Sequence, residues 1–281
     1  MLHLSDLQVT FSPGTPLEKL VFRDFSLTIP PGQFVTVIGS NGAGKSTLLN
    51  VLSGEVNTSS GLQAGQVMIA ERNVTSWSVA RRAKLVSRVF QNPLAGSCAE
   101  LSLEENLLLA QRRSQSLSLR PALTKPLRRQ FRERLATLNL GLEDRLGDKM
   151  GLLSGGQRQA VSLLMATLAP TKVLLLDEHT AALDPTTAAY ILDLTRELVI
   201  GKQLTTLMVT HSMQQALDLG DRTLMLHDGR IVLDISGSDR VGLSVNDLLD
   251  AFARQNSMRS DTDVDMRAGV DAIADDSLLL S

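Results

Sequence analysis

The sequence predicts an α/β fold organised around a parallel sheet, and three stretches carry that expectation. Residues 33–38 form an apolar run rich in β-branched side chains, residues 39–47 are glycine-rich, and residues 46–52 resume an apolar pattern. This reads as strand, tight loop and helix in succession. Residues 173–176 are Val-Leu-Leu-Leu, followed by Asp177 and Glu178. Unbroken apolar runs suit strands buried on both faces of a parallel sheet, and ligands bind at the carboxyl ends of such strands. Leu127, Phe131, Leu135 and Leu138 recur at spacings of four, four and three, the face of one helix.

The remaining elements follow in chain order. Residues 2–11 and 19–29 read as strands joined by the turn Ser12-Pro13-Gly14-Thr15-Pro16. Residues 65–70 and 85–90 are further strand candidates. Ser102 followed by Glu105 fits a capping box, so a helix starts there. Ser154 opens another helix. A helix over 186–200, a strand over 203–209, a helix over 213–219 with Ser212 as N-cap, and a hairpin through Asp228-Gly229 complete the pattern.

The chemistry begins at Gly39-Ser40-Asn41-Gly42-Ala43-Gly44-Lys45-Ser46-Thr47, which fits G-x-x-x-x-G-K-[ST], the P-loop pattern. Glycines let the backbone turn its N–H groups around an anion, and the helix that follows points its positive end at the same place. Lys45 is placed to reach β- and γ-phosphates, and the Ser46 hydroxyl to ligate Mg²⁺. Asp177 would hold the Mg²⁺ through water. Glu178 is the candidate to polarise the attacking water, because phosphoryl transfer needs positioning more than covalent help.

Leu153-Ser154-Gly155-Gly156-Gln157 is identical to the signature sequence of the nucleotide-binding subunits of ABC transporters. The chain resembles that family over about residues 2–253. Phe11 lies where an aromatic side chain stacks on adenine, and phenylalanine in place of the commoner tyrosine keeps the stacking face. Gln91, in Val89-Phe90-Gln91-Asn92-Pro93, resembles the glutamine that touches Mg²⁺ and senses the membrane subunit. Ala182-Leu183-Asp184 resembles the loop that crosses to the partner protomer, and His211 the histidine that contacts the γ-phosphate. One departure is His179, where many relatives have proline; its reading here is structural.

The resemblance implies a P-loop NTPase core with a parallel sheet, an N-terminal antiparallel β subdomain on the adenine side, and an inserted α-helical subdomain over about 92–169, all within residues 1–253. It implies ATP as substrate with Mg²⁺, and a head-to-tail dimer of two such subunits, a homodimer being expected. The cradle of one would face Ser154, Gly155, Gly156, Gln157 and Asp184 of the other. The further implied partners are a separate transmembrane permease and, through it, an extracytoplasmic substrate-binding protein, with this chain peripheral at the cytoplasmic face of the membrane. The layout of one ATPase per chain resembles importers, some of them assigned to amino acids; exporters share it in some cases. A soluble ABC ATPase acting on DNA or ribosomes is the alternative class. Against it stand the absence of sustained heptads between Gln91 and Leu153 and the presence of one such domain. A binder that does not hydrolyse is opposed by Glu178 and His211.

Composition agrees. The net charge of −2 carries no general nucleic-acid signature. Cys98 is the sole cysteine, which excludes an intramolecular disulfide and fits a reducing compartment. No apolar run approaches the roughly 18 residues needed to span a bilayer, and no signal peptide is expected, so a pore would come from another chain. Between Gln111 and Arg134 eight Arg or Lys accompany a single acid. This reads either as a solvated face or as a basic surface toward the permease or anionic lipid. Residues 254–281 are expected to form a flexible acidic tail.

Overall fold

The computed structural model describes residues 1–113 and 123–250. The acidic tail, the boundary expected at 253 and residues 114–122 of the basic stretch lie outside the described residues.

Strand β1 (Leu2–Phe11) pairs antiparallel with β2 (Lys19–Ile29) on one side and β4 (Leu62–Ile69) on the other, and the short β5 (Arg72–Asn73) closes a four-stranded sheet ordered β2-β1-β4-β5. The second sheet has six strands ordered β10-β9-β3-β8-β7-β6. It comprises β3 (Phe34–Gly39), β6 (Val86–Val89), β7 (Val173–Asp177), β8 (Thr205–Val209), β9 (Arg222–His227) and β10 (Arg230–Ser236). Five of these run parallel, and β10 is antiparallel to β9 at the edge. The Asp228-Gly229 turn makes that reversal, with φ of +44° and +70° at the two residues. Two positive φ values match the twist of a two-residue hairpin.

Helices α1 (Lys45–Ser53), α2 (Val79–Arg82), α3 (Leu103–Arg112), α4 (Lys125–Ala136), α5 (Gly155–Leu168), α6 (Pro185–Lys202) and α7 (Met213–Leu219) complete the described regular structure apart from short 3₁₀ turns and a final helical stretch over 245–250. The capping box expected at Ser102 is present on α3. The helix expected over 186–200 runs on to Lys202, and the strand expected from 203 begins at Thr205. Gln203 takes a left-handed conformation and closes α6 by donating its N–H to Val199 and Ile200 carbonyls. Leu138 lies past the end of α4 but is buried with Phe131 and Leu135, so the periodic face outlasts the helix that carries it.

The parallel sheet is covered on both faces, as its apolar strands require. Val173 and Leu175 of β7 face a core shared with the antiparallel sheet and α1. Leu174 and Leu176 face a second core built largely from α3, α4, α5 and α6. Each such leucine contributes about 1.5–3 kcal/mol by leaving water, so the register of β7 is strongly fixed. At the edge of the second core the basic stretch is partly used within the chain. Arg128 of α4 grips Glu104 of α3 through Nε at 2.6 Å and Nη2 at 3.0 Å. Arg113 donates to the carbonyls of Ala166 and Ala169 at the end of α5.

Among the described residues one charged side chain is wholly buried. Arg82 is fully shielded from solvent and donates to the carbonyls of Val51, Leu52, Val74 and Thr75. The first two close the C-terminal turn of α1, whose free carbonyls and dipole favour a cation. The other two belong to the loop after β5, so one guanidinium ties the antiparallel sheet to the helix behind the glycine loop. Burial lowers its pKa to about 10, which still leaves it charged at neutral pH. Arg82→Met keeps much of the apolar bulk but strips these acceptors of their donor. It is expected to lower the unfolding free energy by about 3 kcal/mol, measured by urea denaturation.

Candidate functional site

Strand β3 ends at Gly39, and the chain turns through residues 40–44 into α1. Gly39, Gly42 and Gly44 have φ of +150°, +82° and +103°. At Gly39 a Cβ would stand 2.2 Å from the Leu226 carbonyl oxygen of β9, and at Gly44 it would stand 2.7 Å from the Phe22 ring. Glycine at these two positions lets the loop lie flat on the strands beneath. Gly42 has nothing within 4 Å on its open side. The N-cap of α1 is Gly44, and no side chain caps the helix. Its first-turn N–H groups are therefore left for an external acceptor, the arrangement that holds phosphate in other proteins. Lys45 is 6% exposed and curls back to donate to the carbonyls of Gly39 at 2.7 Å and Ser40 at 2.9 Å. Burial lowers its pKa from the ordinary lysine value, opposed by the charge of Glu178. The cradle, its uncapped helix and its buried ammonium fit a polyphosphate.

The adjacent strand ends supply the acids and the histidine. Glu178 follows β7 in a left-handed conformation, φ +46°, with its N–H on the Val209 carbonyl at 3.0 Å. That turn brings its Oε1 to 2.7 Å from Nε2 of His211, two residues beyond β8. Phe11, Lys19, Val21, Asn41, Gly42, Gly44, Lys45, Ser46, Thr47, Glu178 and His211 line one open cleft of about 230 Å³. Lys19 and Val21 were not anticipated. The signal was available for Lys19, which is the cross-strand partner of Phe11 in the β1–β2 ladder.

Other expected residues lie elsewhere. Asp177, one residue before Glu178, accepts on Oδ2 from Arg88 Nη2 at 2.6 Å. Gln91 is exposed on the segment after β6. Neither lines the cleft. Among the described residues no group of three or more His, Cys, Asp or Glu side chains is arranged to hold a metal. Mg²⁺ commonly binds through one or two protein groups plus substrate phosphates, and Ser46 and Asp177 suit that mode.

Ser154, Gly155, Gly156, Gln157 and Asp184 form a second cluster, also outside the cleft. Ser154 caps α5, accepting the Gln157 N–H at 3.2 Å while Gln157 Oε1 accepts the Ser154 N–H at 3.2 Å. Its hydroxyl hydrogen stays free to donate outward. Asp184 caps α6 by accepting the Thr187 N–H at 3.0 Å, and hydrogen bonds from Thr187 hold its carboxyl below the usual range. A Cβ on Gly156 would strike Thr187 Cγ2 at 2.3 Å. Glycine there allows the two helix N-termini to sit side by side.

His179 is buried, with Nε2 3.0 Å from the Thr195 hydroxyl. Burial pushes its pKa down to about 4. An unfolded chain takes up a proton here below about pH 6.5 that the folded chain refuses until about pH 4. The ring's contribution is thus complete above the unfolded value and is lost as pH falls toward the folded one. Between pH 7 and 5 this residue should remove about 2 kcal/mol of stability. His179→Gln should flatten the pH dependence of chemical denaturation over that range.

A family model described as ABC transporter matches residues 22–181, more than half of the chain. A tyrosine transport ATP-binding protein of Clostridioides difficile (strain R20291) is 42% identical over 252 residues, covering 90% of this chain and 98% of that protein. A thiamine import ATP-binding protein of Salmonella choleraesuis (strain SC-B67) is 36% identical over 208 residues, covering 74% and 81% respectively. Among solved structures, the ATP-binding cassette MJ0796, in a dimeric post-hydrolysis state bound to ADP and Pi, aligns with a TM-score of 0.70. It is 26% identical, and the match covers 84% of this chain and 98% of that one. Agreement of this length in both sequence and shape makes the chain a member of the ABC transporter family, in its ATP-binding, ATPase-bearing part.

Proposed function

We propose that this chain binds and hydrolyses Mg²⁺-ATP as the engine of an importer, in a site that two copies of the chain complete together. The observation that carries the reading is the separation of the two clusters. Phe11, Lys45, Ser46, Glu178 and His211 line one cleft, while Ser154, Gly155, Gly156, Gln157 and Asp184 lie outside it. The cleft of about 230 Å³ is smaller than the usual range for a ligand of nucleotide size. A second copy, docked head to tail, would supply the missing wall and the outward-pointing Ser154 hydroxyl at the N-terminus of α5.

In this reading Phe11 stacks on adenine. The backbone of residues 39–47 cradles the phosphates, and Lys45 leaves the Gly39 and Ser40 carbonyls for the β- and γ-oxygens. Glu178 orients the attacking water, and His211, already beside it, contacts the γ-phosphate. Ser46, Gln91 and Asp177 would hold Mg²⁺, which neutralises charge on the phosphate oxygens when bound.

Among the described residues no helix is long and apolar enough to cross a membrane, and the work would pass to a separate permease. Its docking place in this reading is the groove of about 370 Å³ beside the Gln91 segment, floored by Phe90, Pro93, Leu109 and Met165. The chain would then sit peripherally on the cytoplasmic face, with an extracytoplasmic binding protein delivering the solute to the permease. An amino acid such as tyrosine is the proposed solute, because the match to the tyrosine transport protein spans nearly the whole of both chains. No residue of this chain need touch it.

Lys45→Ala should abolish ATP binding. Glu178→Gln should bind ATP, lose about 100-fold or more in turnover, and stay dimeric with ATP by size exclusion with light scattering. Pulled from detergent-solubilised membranes in that state, it should bring down a polytopic membrane protein. Wild-type turnover in Glu178→Gln would sink the assignment of the water-orienting group, and recovery of nucleic-acid or ribosomal partners alone would sink the transport reading.

A further inference from the structure

Arg88 is the residue whose position the functional reading leaves unused. It lies on the edge strand β6, level with Leu175 of β7, and its side chain is only 10% exposed. Four groups hold its guanidinium. Nη2 is 2.6 Å from Asp177 Oδ2. Nη1 is 2.8 Å from Asn50 Oδ1 on α1 and 3.1 Å from Glu55 Oε1 in the segment after that helix. Its Cζ lies 4.8 Å from the centre of the Phe90 ring, one residue before Gln91. A planar fork with donors in fixed directions can meet several acceptors at once, whereas an ammonium acts as a single point charge.

We infer that Arg88 is a positioning residue for the metal-holding carboxylate. By taking one oxygen of Asp177 and anchoring on Asn50, it fixes that carboxylate relative to the helix that carries Ser46, and leaves the other oxygen for a metal-bound water. The same guanidinium supports Phe90, so the carboxylate and the approach to Gln91 are set by one side chain. This rests on the proposed role of Asp177 in holding Mg²⁺.

Partners that orient a metal's ligands are worth about 10–100-fold in metal affinity. The test measures Mn²⁺, as a paramagnetic substitute for Mg²⁺, binding to the ATP-loaded chain by electron paramagnetic resonance. ATP affinity in EDTA is measured beside it for wild type, Arg88→Met, Arg88→Lys and Asp177→Asn. The inference requires Arg88→Met to weaken Mn²⁺ binding by about ten-fold or more while leaving metal-free ATP affinity unchanged. It also requires Arg88→Lys, which keeps a donor to Asp177, to recover part of the loss. Unaltered or tighter Mn²⁺ binding in Arg88→Met, with Asp177→Asn still weakened, would overturn the positioning role and leave the reading of Asp177 intact. Unaltered binding in Asp177→Asn would instead remove the reading on which the inference rests. Loss of metal-free ATP binding in both Arg88 variants would make the residue a packing element and overturn the inference.

Discussion

Everything in the cleft depends on how the backbone leaves β3 and enters α1. The turn must aim successive N–H groups at one point, and it can do so only while lying against β9 and β2. Gly39 touches the Leu226 carbonyl where a methyl would collide, and Gly44 sits under Phe22 in the same way. The cradle is therefore shaped from beneath by the core. It holds its form because the residues directly beneath it, Phe22 and Leu226, are buried. Arg82 extends the constraint to the other end of α1 by holding that helix's last carbonyls against the antiparallel sheet. A side chain outside the cleft thus fixes the far end of the helix that the glycine loop opens.

A second consequence concerns charge. The described site contains two carboxylates on consecutive residues, and each has been given a different neighbour. Glu178 turns through a left-handed backbone to His211, and Asp177 points to Arg88. A single turn separates a group suited to orienting water from a group suited to holding a metal. From Arg88 the contacts run on to Phe90, whose carbonyl accepts from Gln159 of α5. That is the helix that Ser154 caps. A chain of ordinary contacts thus connects the carboxylate end of β7 to the helix that would meet the partner's nucleotide.

Much of this was legible before the structure. The strand–loop–helix around residues 39–47 rests on local glycine and apolar pattern, and the capping box at Ser102 rests on a spacing of three residues; at Ser154 the helix start was legible, and the structure adds its capping box. The double-sided burial of β7 follows from four apolar residues in a row. What the sequence concealed is contact between distant positions. Arg88 and Asp177 are 89 residues apart, and a lone arginine near a strand end reads as solvent-facing. Arg82 reads as a surface charge in a short polar helix, and only the carbonyls of two other segments explain its burial. The hairpin at Asp228-Gly229 was visible, but its attachment beside β3 was not, because β9 enters the sheet by a parallel ladder. Ends of elements shifted where a single backbone conformation decided them, as at Gln203.

In the proposed function one chain supplies only part of the ATP site. The most direct measurement is proximity across the proposed interface. With Cys98, the only cysteine, replaced by serine, Ser40→Cys puts a thiol in the cradle. Leu152→Cys puts another just before the signature, at a position 72% exposed. Treated with a short bis-maleimide, the double variant should form covalent dimers when ATP and Mg²⁺ are present, and far fewer without nucleotide. Monomers alone under both conditions, from a chain that still binds ATP, would contradict the two-chain site.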